Sequence, residues 1–282
     1  MNKFWKKDIV SWKEGKNIYI SIPFTWLLPK AKELALKNKN KKRTIVGGPA
    51  VKLIPEYLTK VATIGAETTI SPLLIHNPFA TFTTKGCPNK CKFCAVPKIE
   101  GEFKELKEFE IKPLVCDNNF LESSKKHFDF VIDRLKKLEF VDFNQGLDAR
   151  KFKKYHADRF TELKNLKLRF SLDHISLESK VYDAIYLAKS AGLKDINIYV
   201  LIGYKDTPEE AYYKLEKIRE WGCLPYPMRY QPLDALEKNS YVEKGWSEQE
   251  LKRMTRYYSR LNYLSKIPYK DFQIKINQNT LF

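Results

Sequence analysis

Three of the five cysteines of this sequence lie within eight residues, at Cys87, Cys91 and Cys94. Three thiols spaced CxxxCxxC are typical of a metal site. A structural zinc ion needs four protein ligands, whereas three thiolates leave one iron of a cubane 4Fe-4S cluster without a protein ligand. The spacing therefore favours an iron–sulfur cluster with one open iron, where chemistry can take place.

Two other interpretations of these cysteines stay open. A zinc ion would need a fourth ligand, for which His76, Cys116 or a distant residue are candidates. A disulfide is disfavoured, because the total of five cysteines is odd, the spacing is tight and the chain shows no apolar secretory segment. Unpaired thiols indicate a reducing compartment, and we expect a cytoplasmic protein.

The CxxxCxxC motif, with the aromatic Phe93 directly before its last cysteine, resembles the signature of the radical S-adenosylmethionine (radical SAM) enzymes. The resemblance implies that Cys87, Cys91 and Cys94 hold a 4Fe-4S cluster whose fourth iron is chelated by the amino and carboxylate groups of S-adenosylmethionine. It also implies reductive cleavage of that cofactor to a 5'-deoxyadenosyl radical, with an electron donor such as flavodoxin or ferredoxin. Phe93 is then expected near the adenine.

The composition is that of a folded protein and carries a charge signal. The 282 residues are 43% hydrophobic and 30% charged, and 51 Lys and Arg against 34 Asp and Glu give a formal net charge of +17. This excess favours nucleic acid or another polyanion as a partner. Lysine is spread over the whole chain, however, so a general lysine bias explains the same charge without a basic groove. No apolar run is long enough to cross a bilayer, and we expect no membrane partner.

Residues 1–77 are predicted to form a small β/α domain. Strands are expected at 17–24, 44–49 and 61–65, with helices at 26–36 and 53–58. This unit resembles the C-terminal half of the cobalamin-binding domain that precedes the barrel in one branch of the radical SAM enzymes. It lacks the Asp-x-His-x-x-Gly stretch that presents the cobalt-ligating histidine in that domain. We therefore expect a Rossmann-like remnant that packs on a barrel without binding cobalamin.

From residue 78 onward, strand patterns alternate with amphipathic helix patterns, which predicts a parallel sheet. Six β/α units over residues 78–234 fit a partial (β/α)6 barrel, the fold that the family resemblance also implies. Residues 235–282 are predicted to form a C-terminal helical extension. The predicted strands are 79–85, 111–116, 140–144, 168–172, 196–202 and 226–230, and the predicted helices are 125–138, 156–163, 181–191, 208–221 and 248–264. The expected fold class is thus α/β, a radical SAM barrel preceded by the small remnant.

In parallel α/β folds, functional residues gather where loops leave the carboxyl ends of the strands. Asp117 and Asn118 follow the second barrel strand, in a segment that resembles one of the cobalamin-type and methylthiotransferase-like radical SAM enzymes. In those enzymes this region helps to hold the amino group of the methionine moiety. We therefore expect Asp117 and Asn118 to accept hydrogen bonds from the ammonium. A loop rich in Asp and Asn at a helix start explains the same residues without a ligand.

The next two strand ends are also polar. Gln145, Asp148 and Arg150 follow the third strand, and Arg150 is a candidate to bind the methionine carboxylate, or an anionic substrate, with two parallel hydrogen bonds. Ser171 and Asp173 end the fourth strand two residues apart, so they share a face. The family resemblance implies contacts with the ribose or the carboxylate at these two positions.

Ile202 and Gly203 end the fifth strand. The resemblance implies that Ile202 lies against the adenine and that the backbone at Gly203 approaches the ligand. The three residues that follow depart from the family pattern, which leaves the adenine contacts open. Thr207 and Pro208 also make a plain helix start, with Thr207 as the N-cap.

These observations predict a radical SAM enzyme that modifies a substrate, with nucleic acid as the favoured substrate class and a peptide or small metabolite as alternatives. No residue is assigned a catalytic role, because the same barrel supports many reactions. The alternative from another class is a non-enzymatic nucleic-acid-binding protein stabilised by zinc.

Overall fold

The computed structural model describes residues 4–38, 43–65, 68–260 and 266–273. The N-terminal elements are β1 (Val10–Glu14), β2 (Asn17–Ser21), α1 (Leu28–Lys37), β3 (Thr44–Gly47), α2 (Pro49–Leu53), β4 (Thr63–Ile64) and α3 (Pro72–His76). They form a four-stranded sheet in the order β1-β2-β3-β4, in which β2, β3 and β4 are parallel. Ile20 and Val46 pack with Leu28 and Ala31 of α1, so one face of this sheet forms its own apolar cluster.

A second, larger sheet follows. Its part of the chain contains β5 (Ala80–Thr81), β6 (Thr84–Lys85), α4 (Val96–Ile99), β7 (Lys104–Glu105), β8 (Leu114–Val115), α5 (Lys125–Leu135), β9 (Val141–Phe143), α6 (Lys154–Phe160), β10 (Leu166–Ser171), α7 (Glu178–Ser190), β11 (Ile196–Ile202), α8 (Pro208–Glu220), β12 (Leu224–Arg229) and α9 (Glu248–Tyr258). Six strands pair in the order β12-β11-β10-β9-β8-β5, and every pair is parallel. Each strand therefore lies beside the preceding strand of the same sheet, and all six carboxyl ends meet at one edge.

The main core lies between this sheet and its helices. Ile198, Val200 and Ile202 of β11 are buried in one apolar cluster with Leu215 and Ile218 of α8. The alternate residues of β11 point to the other side of the sheet, because side chains alternate along a strand. The sheet thus has one apolar face covered by helices and one face that carries polar side chains.

A local signal starts α8 at the predicted residue, whereas α2 lies at Pro49–Leu53, before the predicted helix 53–58. The Thr207 side chain accepts a hydrogen bond from the backbone N–H of Glu210, and the Glu210 carboxylate accepts one from the N–H of Thr207. This reciprocal capping box fixes the start of α8, as predicted for Thr207. Pro225 and Pro227 lie in β12, which is tolerated because β12 is an edge strand.

The α/β class is confirmed as a mixed fold with a six-stranded parallel sheet. The structure divides predicted strand 79–85 into β5, which joins the large sheet, and β6, which pairs antiparallel with β7. It also adds the antiparallel strand β1, which the sequence analysis missed. The end of predicted helix 248–264 lies partly outside the described residues. Among the residues described, no helix has the length and apolarity that crossing a membrane requires.

Candidate metal and cofactor site

The three cysteines lie on a loop, residues 86–94, that starts at the end of β6 and is called here the cysteine loop. Gly86 opens it with a φ of +78°, and a Cβ at this position would collide with the backbone carbonyl of Glu102. The Gly86 N–H donates to a carboxylate oxygen of Glu100 at 2.8 Å. A glycine is therefore required where the chain turns from β6 into Cys87.

The thiols of the cysteine loop are close enough to influence one another. Cys87 and Cys94 are half-buried, Cys91 is exposed, and the N–H of Cys94 donates to the carbonyl of Cys91 at 3.0 Å. Partial loss of water around the sulfur raises the pKa of the Cys91 thiol, although the residue as a whole is exposed, and the negative charges of Asp173 and Cys87 raise it further. Burial is also the main cause of the raised pKa of Cys94. Binding a metal cation at this loop would offset the repulsion, since the cation stabilises thiolates.

The residues proposed as a fourth zinc ligand are engaged elsewhere. His76 makes ring-nitrogen hydrogen bonds to Ser21 Oγ at 3.1 Å and to the carbonyl of Lys6 at 2.7 Å. Cys116 is buried, and desolvation raises the pKa of its thiol to about 12. Within the described ranges, no three His, Cys, Asp or Glu side chains are grouped so that they could hold a single metal ion. A cluster differs from a zinc ion here, because its thiolates bind separate iron atoms.

Asn119, which the sequence analysis did not single out, contacts the cysteine loop directly. Its Nδ2 donates to Cys87 Sγ at 3.4 Å, although only 2% of the residue is exposed. Its Oδ1 has no hydrogen-bond partner among the described residues. A buried amide with an unused acceptor beside a thiol fits a site that receives a further polar group. The donor set therefore suits a cluster with a polar cofactor beside it.

Asp117 supports the strand that leads into the loop. Its carboxylate accepts hydrogen bonds from the backbone N–H of Thr83 at 2.6 Å and from the Thr83 hydroxyl. Burial raises its pKa to about 6, against the lowering effect of these hydrogen bonds. Asn118, the next residue, is half-buried in the turn after β8. The structure thus gives Asp117 a positioning role, and its predicted contact with the cofactor ammonium stays a prediction, as does that of Asn118.

The end of β9 is linked to the cysteine loop by one hydrogen bond. Asn89 Nδ2 donates to Asp148 Oδ2 at 3.1 Å. Arg150 also binds Asp148, with Nε at 2.8 Å and Nη2 at 2.6 Å from the two carboxylate oxygens. Burial would raise the pKa of Asp148, but hydrogen bonds from Arg150 and Asn89 outweigh this and lower it. Gln145 is exposed. Arg150 therefore faces this edge with its guanidinium already paired to a carboxylate.

The end of β10 brings a second carboxylate to the same region. Ser171 Oγ donates to Asp173 Oδ2 at 3.1 Å, as expected for two residues on one face. Burial raises the pKa of Asp173, while Ser171 and the charge of Lys214 oppose the shift. Asp148 and Asp173 both act electrostatically on Cys91. Because β9 and β10 are adjacent parallel strands, their ends lie side by side at the edge where Asn89 of the cysteine loop contacts Asp148.

A buried lysine supports these loops from beneath. Lys214 of α8 is 2% exposed, and its Nζ lies 3.1 Å from Asp206 Oδ2. The same Nζ donates to the carbonyls of Leu201 at 2.8 Å and Asp173 at 3.3 Å. One cation therefore ties the end of β10 to the end of β11. The sequence did not distinguish Lys214, because α8 carries several other charged residues.

The three residues predicted at the adenine lie in different environments. Ile202 is 0% exposed on the helix-covered face, so its side chain has no surface open to a ligand. Gly203 has a φ of +72°, and a Cβ there would lie 2.9 Å from the end of the Leu251 side chain. Phe93 is half-buried and contacts Tyr204 edge to face, with ring centroids 5.6 Å apart. Tyr204 was missed, although it directly follows Gly203.

Comparison with models of known protein families finds no match to this chain, and no curated protein matches its sequence. The family resemblance therefore stays a prediction from the sequence motifs.

Proposed function

We propose that this protein is a radical SAM enzyme in which Cys87, Cys91 and Cys94 hold a 4Fe-4S cluster. The observation that carries the proposal is the position of the cysteine loop beside the carboxyl edge of a six-stranded parallel sheet, where Asn89 donates to Asp148 at 3.1 Å and Asn119 donates to Cys87 Sγ at 3.4 Å. Ligand sites of parallel α/β sheets lie at this edge. When bound, such a cluster supplies the electron that cleaves S-adenosylmethionine reductively.

We also propose that the large sheet curves into the partial (β/α)6 barrel of this family. Its strands follow one another in chain order from β5 to β12, which is the order of a singly wound sheet. β5 and β12 are its two edges, so the sheet has an open side.

The chain's own polar residues have separate tasks in this proposal. The cofactor carries an ammonium, a carboxylate and a sulfonium. Asn118 would accept a hydrogen bond from the ammonium, Ser171 and Asp173 would contact the ribose, and Arg150 would share its guanidinium between Asp148 and the carboxylate. Phe93 and Tyr204 form an aromatic wall for the adenine. Asp117 holds Thr83 and therefore the strand that delivers the cysteine loop.

Anaerobic reconstitution with iron and sulfide tests the cluster. We expect about four irons per chain, and formation of 5'-deoxyadenosine when S-adenosylmethionine and a reductant are added. Cys91→Ser should lose both properties. Cys223→Ala is the matched control, because Cys223 is also a free cysteine but lies in the main core. One retained zinc ion per chain without 5'-deoxyadenosine would favour the zinc-stabilised binding protein instead.

The proposed substrate is nucleic acid, the proposed electron donor is a flavodoxin or ferredoxin, and the proposed location is the cytoplasm. The formal charge of +17 supports the first of these, because phosphate contacts dominate nucleic-acid affinity. Fluorescence anisotropy with single-stranded RNA and DNA should show affinity that falls steeply between roughly 50 and 200 mM salt. Affinity that is independent of salt would remove nucleic acid from the proposal and leave the cluster chemistry untouched.

A further inference from the structure

The small N-terminal sheet has a cavity of its own, separate from the cysteine loop. The cavity has a volume of about 300 Å³ and lies where β2, β3 and β4 end. In open parallel sheets the carboxyl ends of the strands are where ligands bind. The lining is mainly apolar, and Lys52 is the one charged residue among the described residues that line it. Lys52 Nζ donates to the carbonyl of Ile99 at 2.8 Å, so its charge is used outside the cavity.

Gly47, at the end of β3, keeps part of this cavity open. A Cβ built on Gly47 meets nothing within 4 Å, and its φ is not in the left-handed region. Gly48 differs, since its φ is +97° and a Cβ would lie 2.7 Å from the carbonyl oxygen of Ile22. The fold therefore requires a glycine at position 48 and not at position 47. A side chain at Gly47 would enter space that the cavity leaves empty.

An aromatic pair with a fixed orientation forms one wall. The rings of Trp12 and Tyr19 stack at a centroid distance of 5.4 Å with an interplanar angle of 13°. Trp12 Nε1 donates to Glu14 at 2.8 Å, and Glu14 also accepts from the N–H groups of Thr69 and Ile70. The wall is thus held by hydrogen bonds before any ligand binds. Flat aromatic walls favour flat ligands, because ring faces stack.

Ser21 supplies a buried polar atom to the lining. The His76 ring N–H at Nδ1 donates to the carbonyl of Lys6, because a carbonyl can only accept. In the neutral ring Nε2 is then an acceptor, and the Ser21 hydroxyl donates to it at 3.1 Å. With its proton used in this way, the Ser21 oxygen offers lone pairs to a ligand. Ser21 is 3% exposed, so such a hydrogen bond would be shielded from water.

We propose that this cavity binds a small, uncharged planar heterocycle that carries an N–H donor. The volume is at the lower end of ligand pockets and holds a fused two-ring system, whereas a corrin ring is far larger. The ring packs against Trp12 and Tyr19 over Gly47, and its N–H donates to Ser21 Oγ. The inference does not depend on the cluster or on S-adenosylmethionine, so the two proposals can fail separately.

The test is titration of the full-length protein with indole, benzimidazole and adenine, followed by calorimetry and by tryptophan fluorescence. We expect at least one probe to bind saturably at one site per chain and to change the fluorescence of Trp12. Gly47→Val should weaken this binding by roughly tenfold or more, because its methyl groups occupy the space of the ring. Ser21→Ala should weaken it by about fivefold through the loss of one hydrogen bond.

Ser11→Ala is the matched control, since Ser11 is exposed on the neighbouring strand β1. It should leave the affinity unchanged. Gly47→Ala provides a smaller change in the event that the valine variant folds poorly, and it should weaken binding less than valine does. The proposal is overturned if none of the three probes binds saturably up to its solubility limit. It is equally overturned if binding is the same in wild type and in both Gly47 variants.

Discussion

The two parallel sheets of this protein present different chemistry at their carboxyl ends. The small sheet ends at Gly47 and Ser21, beside an aromatic wall, and among the described residues that line its cavity only Lys52 is charged. The large sheet ends at Asp148, Asp173 and Asp206, three carboxylates with cationic partners in Arg150 and Lys214. One edge suits a neutral ring, and the other suits a cofactor with several charges.

The contrast shows how two sheets with parallel strands can differ in the charge that they bury. Burying charge is costly unless each charge is paired and hydrogen-bonded. The large sheet meets this condition with buried pairs, among them Lys214 with Asp206 and Arg169 with Asp142. The small sheet avoids the cost, because the buried polar residues of its described strands, Ser21 and Thr44, are uncharged. Changes to charge should therefore harm the large sheet most.

The largest effect is expected for Lys214→Met. This change leaves Asp206 buried without its cation and removes hydrogen bonds to two backbone carbonyls. Removing one partner of a buried ion pair costs about 3–5 kcal/mol. Urea unfolding measures the loss of stability. Lys180→Met, at an exposed position of α7, is the matched control, and equal stability of the two variants would contradict the role given to Lys214.

Asp117→Asn should change the pH dependence of stability. The pKa of Asp117 is raised from 3.8 to about 6, mainly by burial, so the native state binds this proton more tightly than the unfolded state does. Its contribution to the free energy of unfolding therefore falls as pH rises from about 4 to about 6. A pKa difference of this size corresponds to about 3 kcal/mol.

The measurement is the difference in unfolding free energy between wild type and Asp117→Asn across that pH range. The difference should decrease with rising pH, because the variant has no proton to lose. Asp183→Asn, at an exposed site, controls for the effect of replacing a carboxylate by an amide. A difference for Asp117→Asn that does not change with pH would contradict the raised pKa of Asp117.

Asn119→Leu should make the reduction potential of the reconstituted cluster more negative. The Asn119 amide donates to Cys87 Sγ, and a donor to a thiolate stabilises the reduced, more negative form. A redox titration followed by electron paramagnetic resonance measures the potential without S-adenosylmethionine. Asn118→Leu is the control, as the adjacent amide makes no such contact in the described structure. Equal potentials in the two variants would exclude the hydrogen bond to Cys87 as a determinant of the potential.

The smallest effect is expected within the small sheet, at its glycine pair. Gly47→Ala should raise the free energy of unfolding by about 0.4–1 kcal/mol, because the native backbone accepts alanine and the unfolded chain loses freedom. Gly48→Ala should lower it, since the added Cβ meets the backbone of Ile22. Thermal unfolding of both variants measures the two signs. A destabilised Gly47→Ala would show that the cavity wall has no space for a methyl group.

Strands and helices with strong local patterns were predicted well. β11 has the bounds that its apolar pattern predicts, and α8 starts at the capping box formed by Thr207. β6 was not separated from β5, because its pairing with β7 comes from residues some 20 positions away in the chain. β1 was missed for a different reason. The exposure of its side chains alternates along this edge strand, so β1 lacks the apolar run of the buried strands.

For the site residues, too, local sequence patterns were informative and contacts between distant residues could not be predicted. The polar ends of the strands indicated that Asp148 and Asp173 would lie at the carboxyl edge of the sheet, and Asp148 accepts a hydrogen bond there from Asn89 of the cysteine loop. Asn119 and Lys214 were missed, because nothing in their neighbouring residues distinguishes them from ordinary turn and helix residues. Ile202 was expected against the adenine, yet it lies on the helix-covered face. The face of the sheet on which Ile202 lies depends on the alternation of side chains along β11, and the family motif does not specify this alternation.

The sequence alone determined the spacing of Cys87, Cys91 and Cys94 and the alternation of strands with helices, because both depend only on neighbours along the chain. Only the tertiary structure decided which amide reaches Cys87, which lysine ties the ends of β10 and β11, and where the small sheet leaves a cavity. These features bring together residues far apart in sequence, and each depends on burial and distance in three dimensions.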